Sequence, residues 1–190
     1  MKEARRSFLL ETPVAPLPAA QSFLRHARFR LNEDYAVKIS TACSELADDQ
    51  LWWRPNEESN SIGNLILHLC GNIRQWMIAG VGGEVDARNR DSEFAERRQI
   101  GKQELLALLT VTLSEVDAVL FRLEAEAIEN QDAPLQRLIV PQGFAQTVFD
   151  SIFHVVEHFS YHTGQIVFIA KLLAGERIRF YDDRQLAARS

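Results

Sequence analysis

Residues 145–174 read AQTVFDSIFHVVEHFSYHTGQIVFIAKLLA. Val148, Ile152, Val155, Phe159, His162, Ile166, Ile169 and Leu173 follow one another at alternating intervals of four and three. At 3.6 residues per turn this rhythm keeps one apolar stripe on one face of a helix. Gly175 is placed to end it. A single amphipathic helix is not a fold, so the question becomes how often such a stripe returns.

It returns three times. Residues from about 19 to 47 carry Leu24, Leu31, Tyr35, Ile39, Ala42 and Leu46 on a common face. DDQLWWRPNEESN, residues 48–60, then breaks the pattern at Pro55 and its polar cluster. Asn60 or Ser61 can cap a second helix over about 61–80, with Ile62, Leu65, Ile66, Leu69, Ile73, Trp76 and Met77 on its apolar face. Gly80, Gly82 and Gly83 end it. EVDARNRDSEFAERRQIG, residues 84–101, is a charged insertion before the third stripe, which runs through Leu105, Leu109, Thr112, Val116, Val119 and Leu123. Pro134, Pro141 and Gly143 punctuate the linker to the fourth. No strand-like alternation of any length is present. Four long amphipathic segments predict an all-α four-helix bundle over residues 19–176, with a leader over 1–18 and a tail over 177–190.

The composition suits one soluble core. The chain has 190 residues, 46% of them hydrophobic and 25% charged. A net charge of −5 argues against a nucleic-acid partner, which calls for a basic face. No apolar run reaches the roughly 20 residues that span a bilayer. Glu11, Pro13, Pro16 and Pro18 interrupt the N-terminal apolar stretch, which makes it a poor secretory signal. Two cysteines, Cys43 and Cys70, do not make a disulfide framework, and a reducing cytoplasm is the expected setting.

Three histidines, His154, His158 and His162, repeat every four residues in the last helix. Neighbours four apart stack on one face, so two of them can grip one ion. The outer two are roughly 12 Å apart along the axis and cannot share it. His162 lies in the apolar stripe, His158 about 70° from its centre and His154 about 110° away. His158 and His162 are therefore the inward pair and His154 belongs nearer the rim. A pair of hydrogen-bonded or water-contacting side chains is the plain reading of such histidines; a metal site would need at least one more ligand from elsewhere, with His68 the leading candidate. Periodicity alone puts His68 at the edge of its helical face, where a partly exposed surface histidine is the plain reading. His26 has no comparable setting.

NSIGNLILHL, ending in His68, and HVVEHFSYHTGQI together resemble the DinB-like (DinB/YfiT) superfamily. The terminal H-x-x-x-H-x-G-Q-[IV] pattern of that family falls on His158, His162, Gly164 and Gln165. Its second-helix pattern falls on Ser61, Ile62, Leu65 and His68. The resemblance implies a four-helix bundle, often dimeric, in which His68, His158 and His162 bind a divalent metal. Zinc, nickel, manganese and iron(II) all suit imidazole ligands. Three protein ligands leave open positions, which is the arrangement of a catalytic site. An open position can lower the pKa of water from about 16 towards about 7 for hydrolysis. It can also deprotonate a thiol. Relatives that join low-molecular-weight thiols to electrophiles make a thiol transferase the first expectation. A metal-dependent hydrolase and a non-catalytic stress-related metal-binding bundle are the alternatives. The expected partners are a small-molecule substrate and a second copy of the chain.

Among helpers, Asn64 and Gln165 are the candidates to orient a ligand imidazole. Glu157 points about 180° from the stripe and reads as solvated, and Tyr161 reads as packing or interface. Arg88, Arg90, Arg97 and Arg98 are balanced by Asp86, Asp91, Glu93 and Glu96, so the charged segment reads as a solvated loop. Cys70 lies some 200° around the helix from His68 and reads, like Cys43, as a buried thiol. The glycines at 80–83 follow a helix rather than a strand, which excludes a dinucleotide loop. Trp52 and Trp53 cannot both face inward.

Overall fold

Ser61 and Thr147 begin the two helices that carry the histidines, and they do so by the same device. Ser61 Oγ accepts the backbone N–H of Asn64 at 3.1 Å while Asn64 Oδ1 accepts that of Ser61 at 3.4 Å. Thr147 Oγ1 and Asp150 Oδ2 make the equivalent reciprocal pair, both at 3.1 Å. Each pair satisfies two donors that the first turn of a helix leaves without partners.

The structure, a computed structural model, describes residues 17–97 and 100–180. The expected leader lies outside the described residues except for its last two, as does the tail beyond 180 and Arg98. Helix α1 covers Ala19–Phe29 and α2 covers Ala36–Ser44, joined by a π-type segment at Arg30–Tyr35. Helix α3 covers Ile62–Ile73 and runs into a π-type segment at Arg74–Val81. Short α4 spans Arg90–Ala95, long α5 spans Lys102–Asn130, α6 spans Ala133–Gln136 and α7 spans Val148–Ala174.

The two π-type segments modify the helices expected over 19–47 and 61–80. Burial runs Ala27, Leu31, Tyr35, Ile39 in the first rod and Leu65, Leu69, Ile73, Met77, Val81 in the second. Each interval of four overshoots a full α-helical turn by about 40°, so several in succession would carry the stripe off the core. A widened turn absorbs the overshoot, as the bond from Gly82 N to Met77 O shows at 2.8 Å. Helix α7 alternates fours and threes and needs no such correction.

The rods share one core. Helix α1 packs on α5, α2 on α7, and α3 on both α5 and α7. Phe159, Leu24, Ile39, Ile66, Leu69, Leu105 and Leu120 are among its fully buried side chains. Trp52 is buried with its indole N–H donating to Ile100 O at 3.0 Å, while Trp53 faces solvent, so the pair divides as expected. Gly63 lets that indole approach, since a Cβ there would meet it at 2.8 Å. Ile178, past the end of α7, is buried in the same core.

The linker differs from expectation in one respect. Leu138–Ile139 (β1) and Gln146–Thr147 (β2) pair antiparallel, with Leu138 opposite Thr147. Two residues are too few to write an alternation in the sequence. The ladder places Thr147 at the start of α7, so that helix begins at Val148 rather than near 145.

Candidate metal centre

Helix α3 supplies His68, and α7 supplies His158 and His162 one turn apart. The ring centroids lie 4.5 Å apart for His158 and His162, 4.9 Å for His68 and His158, and 5.0 Å for His68 and His162. One nitrogen from each ring lies within 4.8 Å of the other two. His68 is 4% exposed and His162 8%, so the reading of His68 as a surface histidine is overturned. Its helix packs against both α5 and α7, and the charged segment covers what would have been its open side.

Hydrogen bonds set the tautomers. Glu93 Oε2 lies 2.8 Å from His68 Nδ1, and a carboxylate only accepts, so Nδ1 carries the proton and Nε2 keeps its lone pair. That bare Nε2 faces His158 Nε2 at 2.9 Å. His162 Nδ1 donates to Gln165 Oε1 at 2.7 Å, which leaves its Nε2 free as well. Gln165 is thus a hydrogen-bond partner of a candidate ligand.

Charge follows from burial. Desolvation, and then the neighbouring rings of His162, His68 and His154, push the His158 pKa down to about 3. Desolvation also lowers His162 and His154, against the opposing pull of Gln165 on the first and Glu157 on the second. These rings are neutral at pH 7, the state in which imidazole binds a cation. Two nitrogens each about 2.1 Å from one ion sit roughly 3 to 3.4 Å apart, close to the separation of His68 and His158. The donor set fits a divalent metal.

The charged segment is not a solvated loop throughout. Arg88 donates to both oxygens of Glu93, at 2.8 Å from Nε and 3.0 Å from Nη2, and both side chains are buried. Arg88 Nη1 also reaches Gln75 Oε1 at 3.0 Å. Burial disfavours the charge on Glu93, but hydrogen bonds from His68 and Arg88 outweigh it and hold its pKa below the usual value. The Phe94 ring covers His68 at 4.6 Å. Arg90 and Arg97 remain exposed, as expected.

Asn64 does not orient an imidazole. Its amide donates to Glu93 O at 2.9 Å and Glu96 O at 3.3 Å, which straps the charged segment onto α3. Glu157 is exposed, Tyr161 is 61% exposed beside His162, and Cys43 and Cys70 are free buried thiols. His154 lies outside the cluster, its Nε2 3.2 Å from Asn72 Nδ2 and its ring 4.5 Å from Trp76. Glu93 and Arg88 were hidden because the residues that bury them, His68, Gly71 and Gln75, lie on other elements 13 or more residues away. A cavity of about 820 Å³ lies among α3, the charged segment and α5; Arg88 and Glu93 line it and the three histidines do not. Among the described residues, no helix is long and apolar enough to cross a membrane.

The crystal structure of a DinB-like protein (YjoA) from Bacillus subtilis, at 2.30 Å resolution, is similar with a TM-score of 0.54. The match covers 86% of this chain and 96% of that one at 21% sequence identity, and it establishes a shared fold. No curated protein matches the sequence. Residues 18–181 match the model of the family described as Protein of unknown function (DUF1572), and this chain, DinB-like in fold, belongs to that family.

Proposed function

We propose that His68, His158 and His162 hold a divalent metal ion and that the protein is a metal-dependent transferase acting on a low-molecular-weight thiol. One observation carries the metal: imidazoles from two helices meet, and hydrogen bonds at Nδ1 of His68 and of His162 leave Nε2 as the atom each can turn to an ion. Held by these three residues, an ion would supply Lewis acidity that lowers the pKa of a thiol. The chain's own contribution is to keep His158 and His162 neutral, to fix His68 and His162 through their Nδ1 bonds, and to hold the rings largely out of water. In the reaction the thiol would lose its proton to water, its sulfur would use that electron pair to bond to the electrophile, and any leaving group would depart with the pair of the broken bond.

Elemental analysis and activity together test this reading. Purified protein should carry close to one divalent ion per chain, and His68→Ala, His158→Ala and His162→Ala should each lose it. The loss should exceed the roughly 10–100-fold cost of removing only a hydrogen-bond partner of a ligand. Thiol consumption should require both electrophile and metal. Turnover without thiol would favour hydrolysis, and metal binding without any turnover would favour a non-catalytic bundle.

Two further proposals concern setting and assembly. Free, buried Cys43 and Cys70 suit a reducing cytoplasm. A homodimer is supported by Phe153, Tyr161, Phe168 and Leu172, which are 57–65% exposed. They fall within about 100° of one another around α7.

A further inference from the structure

The strap between the second and third rods buries one carboxylate of its charged run, Glu93, and the residue opposite it is a glycine, Gly71. We infer that Glu93 is a positioning residue: clamped by Arg88 and seated on Gly71, it fixes the tautomer and direction of His68 and so raises the affinity of the centre for its metal. This inference rests on the metal-binding reading above.

Three independent features converge on the Glu93 carboxylate. It accepts from His68 Nδ1 at 2.8 Å, which commits His68 to Nε2 as its metal-facing atom. Arg88 grips both carboxylate oxygens, so the group cannot rotate away from the imidazole without breaking a buried two-point contact. Gly71, one turn beyond His68 on α3, is open where any other residue would obstruct. A Cβ there would lie 1.9 Å from Glu93 Oε1 and 2.7 Å from Glu93 Cδ. Glycine inside a helix is less favourable than alanine, and here that residue leaves room for a carboxylate. Asn64 secures the same strap by its backbone, at Glu93 O and Glu96 O. Arg88 Nη2 also lies 3.1 Å from His68 Nδ1. Because that nitrogen already bears a proton, the guanidinium directs its N–H at Glu93 Oε2 instead.

A carboxylate behind a ligand imidazole raises the basicity of the ring, and its loss typically weakens metal binding 10–100-fold. The experiment compares the parent protein with Glu93→Gln, Gly71→Ala and Arg90→Gln, the last altering an exposed arginine of the same strap. Zinc affinity is measured by competition with a chromophoric chelator. The tautomer of His68 is read from long-range nitrogen–proton NMR spectra of chelator-treated protein, and thermal melts of that protein report the fold. Glu93→Gln should weaken zinc 10–100-fold and erase the uniform Nδ1–H signature of His68. Gly71→Ala should weaken zinc about tenfold although alanine is the better helix former. Arg90→Gln should match the parent. Parental zinc affinity in Glu93→Gln, or an unchanged His68 tautomer, would overturn this inference and leave the metal reading standing. A parent that binds no zinc or other divalent ion would instead overturn the metal reading itself.

Discussion

His158 stands among the rings of His68, His154 and His162, and its protonation links the cluster to stability. An unfolded chain takes up that proton near the usual histidine value of 6.5, whereas the folded one resists until about 3. Between these values the unfolded state binds more protons, so stability falls as pH drops from 6.5 towards 3. His154 and His162, also lowered by burial, act in the same direction. Glu93 is the opposite chemical type with the same outcome. Its lowered pKa stabilises the fold above the usual value of 4.5, and that contribution is lost as pH falls through the folded value. Chelator-treated protein should therefore show a falling urea midpoint between pH 7 and pH 4, and His158→Gln should flatten that decline. A midpoint independent of pH across this range would contradict the assigned neutral cluster.

Helix α3 joins two tasks that single substitutions can separate. Ser61 caps the helix, while Asn64 both closes the cap and holds the strap that carries Glu93. Ser61→Ala should cost about 1 kcal/mol of stability, read from urea midpoints, with zinc affinity near the parent's. Asn64→Ala should cost more and weaken zinc as well, because Glu93 and Glu96 lose a buried partner for their carbonyls. Equal effects of the two variants on zinc would show that the strap is held by other contacts. The π-type segments belong to this scale too. Their trace in the sequence is a run of apolar residues at successive intervals of four, visible at Leu65, Leu69, Ile73 and Met77 once a drifting stripe is recognised.

Within the whole molecule, α7 contributes to the closed core with one face and carries exposed apolar side chains on another. Phe159 and Ile166 are buried, whereas Phe153, Phe168 and Leu172 on the same helix meet solvent. Burying such a face in a second copy removes apolar surface at about 25 cal/mol per Å². Phe168→Glu should convert a dimer to monomers in light-scattering measurements while leaving the thermal melt of the monomer near the parent's, since an exposed side chain makes few core contacts. A parent that is monomeric at all accessible concentrations would remove the dimer proposal.

Periodicity alone determined the mostly helical class and the inward direction of His158 and His162, and residue type narrowed the cap of α3 to Asn60 or Ser61. Each of these depends on residues within a few turns of one another, where helical geometry converts spacing into direction. The resemblance named His68 as their partner, yet its burial was decided only by packing between rods far apart in the chain. The same is true of the strap. Nothing local distinguishes Arg88 and Glu93 from Arg90 and Asp91, because their burial comes from Gly71 and His68 on another helix. Spacing along one helix can say which way a side chain faces; what it meets there is settled by the docking of separate elements.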